Sequence, residues 1–175
     1  MRNSILAIFA AFAALGSGCA PGTGPLSEDQ IDAAHKRKLE RLFVPSGAAD
    51  AAVVKGRWHW TSAFVYEVYR PLTIDGKDVH ADPTADQTKL AVPIDPGARS
   101  FVIDAEFNRG DGIFKARVPL KAALKPGTTY QVNGEVSEGR VTVWLEEEKS
   151  RERASELASA KPERFRVVPI FIPIR

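Results

Sequence analysis

After Val53, apolar residues recur at every second position along most of the chain. Trp58 and Trp60 alternate with Arg57, His59 and Thr61, and Phe64, Tyr66 and Val68 alternate with Val65, Glu67 and Tyr69. Leu90, Val92 and Ile94 form another stripe. Phe101, Ile103, Ala105 and Phe107 share one face, with Asp104 and Glu106 opposite. Phe114, Ala116, Val118 and Leu120 oppose Lys115 and Arg117, and Val141, Val143 and Leu145 oppose Thr142 and Trp144. A period of two sends neighbouring side chains to opposite faces, so each stripe marks a half-buried strand of an antiparallel sheet. Asp75-Gly76, Pro96-Gly97, Pro126-Gly127 and Asn133-Gly134 punctuate the stripes with turn chemistry. Strands at this spacing predict a mainly β fold, a sandwich or small barrel. An antiparallel β-sandwich is the economical solution, because two sheets bury each other's apolar faces.

One segment before Val53 keeps a helical period instead. Ile31, His35, Leu39 and Leu42 stand at helical spacing. Ser27 and Gln30 have capping-box spacing, Leu26 and Ile31 hold the staple positions, and Glu28 and Asp29 place negative charge where the helix dipole favours it. Pro45 and Gly47 end the segment. The reading is therefore one N-terminal α-helix over 27–43 in a single domain covering 27–175. Lys36-Arg37-Lys38 reads as a solvated face of that helix. A polar stretch over 146–162, rich in Glu, Lys, Arg, Ser and Ala, reads as a short exposed helix or a connector.

The first residues follow other rules. Arg2 gives a positive start, Ile5–Leu15 is apolar, and Gly16, Ser17 and Gly18 approach Cys19. This is the layout of a secretory signal. As a helix the apolar run spans about 16 Å at roughly 1.5 Å per residue, well short of a hydrocarbon core of about 30 Å. Leu15-Gly16-Ser17-Gly18-Cys19 resembles the lipobox of bacterial lipoproteins. That resemblance implies a signal peptide over 1–18, cleavage before Cys19, a lipid on its thiol and anchorage in a membrane. Ala20 after the cysteine implies, in a Gram-negative cell, an outer-membrane site facing the periplasm. Ala20-Pro21-Gly22-Thr23-Gly24-Pro25 makes a poor helix and a good tether, so 19–26 is expected to link anchor and domain.

Within the domain, three segments resemble small β-sandwich modules of envelope lipoproteins, including PEGA-like domains. They are Ile74-Asp75-Gly76-Lys77, Leu90-Ala91-Val92-Pro93-Ile94-Asp95-Pro96-Gly97 and Leu124-Lys125-Pro126-Gly127-Thr128-Thr129-Tyr130. The resemblance implies surface display, scaffolding or partner binding without catalysis, and it carries over no functional residue.

Composition narrows the chemistry. Formal net charge is +2 and Arg2 falls within the signal, so the remaining chain is nearly neutral and lacks the basic footprint of a nucleic-acid binder. Cys19 is the only cysteine, which leaves no internal disulfide and, once lipidated, no thiol for catalysis or metal binding. His35, His59 and His80 fall on a helix, a strand and a loop, none with a second histidine at ligand spacing. Asp75, Asp78, His80, Asp82 and Asp86 crowd one stretch, where acidic turn residues explain them better than a hard cation does. Glu146, Glu147 and Glu148 read as a solvated strand end, and Arg109-Gly110-Asp111 as a hairpin tip. No nucleophile elbow or phosphate loop is present. Neither a metal nor another cofactor is expected.

Trp58, Trp60, Tyr66 and Tyr69 form the most suggestive cluster. Aromatics on the outer face of adjacent strands make a binding platform, although the same residues also serve to fill a core. Phe165–Arg175 has strand composition, and Pro169 and Pro173 suit an edge. This tail is read as closing the sandwich, with docking of a partner by strand addition as the alternative, so Phe171 joins the candidate interaction surface. The functional expectation is a non-catalytic, membrane-anchored envelope lipoprotein that binds or scaffolds another envelope protein. The alternative is a small-molecule or glycan-binding periplasmic lipoprotein with a pocket at the end of the sandwich. A flat apolar patch beside a sheet edge favours the first, and a concave pocket with converging polar groups the second.

Overall fold

The computed structural model describes residues 27–47, 49–62, 64–79 and 91–165. The expected signal peptide and tether, with Cys19, and Phe171 lie outside them. The capping box forms as read: Ser27 Oγ accepts from the Gln30 backbone N–H, and the Ser27 N–H donates to Gln30 Oε1 at 3.0 Å. Helix α1 then runs Glu28–Phe43. Its most buried line is His35, Leu39 and Phe43, with Leu42 at the margin. The end of α1 is tied to the sandwich, since the Asp95 N–H donates to Phe43 O at 2.8 Å and Lys77 Nζ to Leu42 O at 3.0 Å.

Eleven strands follow: β1 Ala52–Lys55, β2 Arg57–Ser62, β3 Val65–Ile74, β4 Lys77–Asp78, β5 Ala91–Ile94, β6 Gly97–Arg109, β7 Ile113–Leu124, β8 Thr129–Ser137, β9 Arg140–Glu147, β10 Ala158–Ala160 and β11 Glu163–Arg164. One sheet has the order β10-β9-β8-β1-β5. The other has the order β11-β7-β6-β3-β2, with β4 on β3. The expected mainly β sandwich with one N-terminal helix is the observed architecture. One pairing departs from the antiparallel rule: β1 lies parallel to β8, Val54 opposite Tyr130. Parallel neighbours need a long crossover, and the whole β2–β7 segment supplies it.

The core lies between the sheets and follows the alternation. Ile103, Ala105, Val118, Leu120, Val132, Val141, Val143 and Leu145 point into it. The longest pairing, β6 with β7, runs from Gly97↔Leu124 to Asn108↔Ile113. The chain changes sheet at Gly56, where a Cβ would sit 3.1 Å from Tyr69 O.

One local expectation is corrected, and one open alternative is decided. Asn133-Gly134 is not a turn but lies inside β8, and the reversal comes after Ser137, through Glu138 and Gly139, both at positive φ. Gly134 is there because the Tyr69 ring lies over it: a Cβ on Gly134 would be 2.3 Å from a ring carbon. Of the two alternatives for the polar stretch over 146–162, the helix does not form and the connector does: after a turn at 148–150 it bridges the sheets, β10 pairing with β9 and Ser155 with Ala122 of β7. Its small residues allow this: Ser155 Oγ accepts the Leu145 N–H at 2.9 Å, and Ala154, Ala158 and Ala160 pack on the core. Phe165 extends the closure, its N–H donating to Ile113 O at 2.7 Å. The rest of the C-terminal tail, 166–175, lies outside the described residues.

The close approach of Tyr69 to Gly134 has a measurable consequence. Gly134→Ala is expected to cost about 1–3 kcal/mol through overpacking, read as a lower denaturation midpoint. In a Tyr69→Ala background the same substitution should cost little, because the ring it meets is gone. Equal costs in both backgrounds would contradict the packing described.

Candidate functional site

The register of the β2–β3 hairpin sorts its aromatics. Trp58 faces Val68 and Trp60 faces Tyr66 on one side, while Arg57 faces Tyr69 and His59 faces Glu67 on the other. Residues directly opposite share a face. Trp58, Trp60 and Tyr66 therefore form one strip on the outer face of the β2-containing sheet. The two indoles lie 5.9 Å apart, inclined by 17°, and Tyr66 lies 5.0 Å from Trp60 at 42°. Trp60 is 54% exposed, and Phe64 at the hairpin turn is 75% exposed. The Trp58 indole N–H is buried without a hydrogen-bond partner among the described residues.

Tyr69 is the exception to the expected cluster. It points between the sheets and is fully buried. Its hydroxyl donates to Glu67 Oε2 at 3.0 Å, and Arg109 closes on the same carboxylate at 3.1 Å. Burial pushes the Tyr69 hydroxyl well above its ordinary pKa, and the Glu67 charge adds to the shift. Arg57 beside it donates to Asn133 Oδ1 at 2.9 Å. Tyr69 is thus a core residue and no part of a platform.

A row of charges backs the strip across β3, β6 and β7. Tyr66 donates to Glu106 Oε1 at 2.8 Å, Lys115 Nζ sits 2.8 Å from Glu106 Oε2, and Arg70 holds Asp104 Oδ2 at 2.9 Å. Burial raises the Tyr66 hydroxyl to about 12, with the Glu106 hydrogen bond and charge adding and Arg70 opposing. Burial also acts to raise Glu106, but Lys115, Tyr66 and Arg70 outweigh it and hold that carboxyl below its usual range. The row ends where Lys115 Nζ lies 4.7 Å from the centre of the Phe165 ring, beside a cleft of about 600 Å³ that also touches Leu72, Arg117 and Lys161. Sequence reasoning had placed Asp104 and Glu106 opposite their stripe, and Lys115 and Arg117 opposite theirs. The missing step was the hairpin register, which sets Glu106 against Lys115 and Asp104 against Arg117.

The other candidate groups are separate. Asp75 accepts from the Ser100 N–H at 2.9 Å and pairs with Arg99 at 3.1 Å, which fastens a turn to β6. His80, Asp82 and Asp86 lie outside the described residues. Glu146, Glu147 and Glu148 each take a different cation, Arg151, Lys125 and Lys55. Arg109 of the Arg-Gly-Asp tripeptide is held by Glu67. His35 is buried on α1, His59 is exposed on β2, and no group of three metal-ligating side chains is assembled among the described residues. A shallow cleft of about 1120 Å³ opens beside Phe101, Leu120 and Leu157. No helix among the described residues is long and apolar enough to cross a membrane. No family model, curated protein or solved structure matches the chain.

The Glu106 arrangement has a definite pH signature. A carboxyl held low in the fold stabilises it above the ordinary carboxylate pKa of about 4.3. That contribution is lost as pH falls through the lower folded value. The stability gap between the protein and Glu106→Gln should be constant from pH 7 to about 5 and shrink below about 4. Denaturant titrations at several pH values check this, and a gap that widens on acidification would contradict it.

Proposed function

We propose that the protein is a non-catalytic, membrane-anchored envelope lipoprotein that binds another protein through the outer face of the β2–β3 hairpin. The observation that carries this reading is the Trp58–Trp60–Tyr66 strip beside a sheet edge, continued at the hairpin turn by Phe64. Aromatic side chains dominate interface energetics because they bury large area at small rotamer cost. Tyr66 is fixed in place through Glu106, so the strip is ordered before any partner arrives. Arg70, Asp104, Glu106 and Lys115 supply the polar rim that such a patch needs. The Cys19 lipid and the 19–26 tether would hold the hairpin near the membrane, at the periplasmic face of the outer membrane in a Gram-negative cell. The near-parallel indoles favour one second reading, a glycan ring stacked on them.

A photo-crosslinking residue at Thr61 in the full chain tests the reading in intact cells. It should capture a protein that the same residue at Lys121, on the opposite edge region, does not. Trp60→Ala should lower that capture about ten-fold or more, the effect of a loss of about 1.4 kcal/mol. Equal capture at both positions, or none at Thr61, would overturn protein binding. Saturable binding of a soluble oligosaccharide that Trp60→Ala abolishes would favour the glycan reading. Cys19→Ser tests the anchor separately: a soluble or unprocessed product is expected, and unchanged maturation and fractionation would contradict lipidation.

A further inference from the structure

Sheet edges are templates for strand addition, and proteins blunt them with short strands, prolines or charges. Three of the four edges among the described strands are blunted in this way. β10 has three residues, β11 has two and follows Pro162, and β5 has four, with Pro93 among them. β2 differs. It has six residues, Arg57-Trp58-His59-Trp60-Thr61-Ser62, with no proline or lysine, and the last four are exposed. Its register with β3 is regular from Arg57 to Trp60, with the irregularity after Trp60. Among the described residues no strand lies on its outer side.

We infer that this edge pairs antiparallel with the same edge of a second copy of the chain, about a two-fold axis at His59. The inference rests on the protein-binding reading above and specifies its partner. The alternation dictates the geometry. An antiparallel two-fold keeps each face continuous, so an outer-face residue must oppose an outer-face residue, and the axis must pass through a residue. An axis at Trp58 would set Gly56 against the other copy's Trp60, and one at Trp60 would set Trp58 against Ser62. An axis at His59 sets each Trp58 against the other copy's Trp60. It also keeps the two Arg57 side chains about 13 Å apart along the strands, so these like charges do not meet. Trp-His-Trp is symmetric about its centre, so a second copy brings to the edge the self-complementary pattern that a two-fold interface requires. Cross-strand aromatic pairs are among the more stabilising in sheets. The two strips would merge into one aromatic ladder and cover the exposed face of Trp60. An anchor that confines copies to one membrane raises their effective concentration for such pairing.

Disulfide trapping tests the axis. In the full chain in its membrane, His59→Cys would place two Cα atoms about 4.5–5.5 Å apart, within disulfide range of about 4.4–6.8 Å. A reducible species of twice the mass is expected, at least ten-fold above that of the parent chain, whose only cysteine is Cys19. Arg57→Cys alone should not trap, because its two copies would lie about 13 Å apart along the strands. His59 is exposed, so the variant should unfold like the parent. Absence of the dimer at His59→Cys, or equal trapping at Arg57→Cys alone, would overturn the pairing. A bridge from His59→Cys to a polypeptide of different mass would overturn the second copy as partner while leaving protein binding in place. The wider reading fails if the Thr61 crosslinker captures nothing, or no more than the one at Lys121 does.

Discussion

The register of the β6–β7 hairpin is the constraint on which the rest of the structure depends. Its pairing from Gly97↔Leu124 to Asn108↔Ile113 sets two faces at once. On one, Phe101, Ile103, Ala105 and Phe107 meet Leu120, Val118, Ala116 and Phe114. On the other, Glu106 meets Lys115 and Asp104 meets Arg117. A slip of one residue would exchange the faces and bury the charges. Core packing and surface electrostatics therefore select the same alignment, and agreement between levels is what gives a sequence one fold. Both edges of this hairpin are then used. β3 and β2 are added on one side, and the extended closure through β11 on the other.

The outer face inherits its order from that alignment. Glu106 is fixed on β6 by Lys115 of β7 and accepts the Tyr66 hydroxyl from β3. Tyr66 packs against Trp60, and Trp60 stacks with Trp58. A chain of contacts thus runs from the centre of the sheet to its exposed edge. The inner face carries a matching dependence, since Tyr69 fits only because Gly134 leaves room for its ring. The two tyrosines are three residues apart on β3 but serve opposite faces, one ordering a surface and the other filling the core.

Much of this was legible in the sequence. The period-two stripes mark β2, β3, β5, β6, β7 and β9 but neither β1 nor β8, and Ser27 with Gln30 marks the helix start that forms. The failures have physical causes. Asn133-Gly134 has the composition of a turn, but the glycine answers a contact with Tyr69, distant in sequence, which local patterning does not register. For the stretch over 146–162 the polar, alanine-rich composition left helix and connector open, and the connector forms because its backbone is recruited by Leu145 and Ala122, strand positions already in place. Aromatic composition groups Tyr69 with Trp58, Trp60 and Tyr66, although its parity separates it from Tyr66. The strip itself needed only that parity and the hairpin register. The parallel contact of β1 with β8 depends on long-range topology and leaves no local mark.

On the proposed function, the β2 edge and the aromatic strip beside it are occupied by a partner in the membrane and free in isolation. Hydrogen exchange at those backbone amides of Trp58–Ser62 that point away from β3 measures this directly, because an outward-facing N–H exchanges readily at a free edge and slowly once a strand pairs with it. These amides should exchange at least ten-fold more slowly in the native membrane than in dilute, detergent-extracted monomer. Amides of β8, interior in both states, should keep their rates. Equal exchange of the β2 amides in the two states would contradict the account.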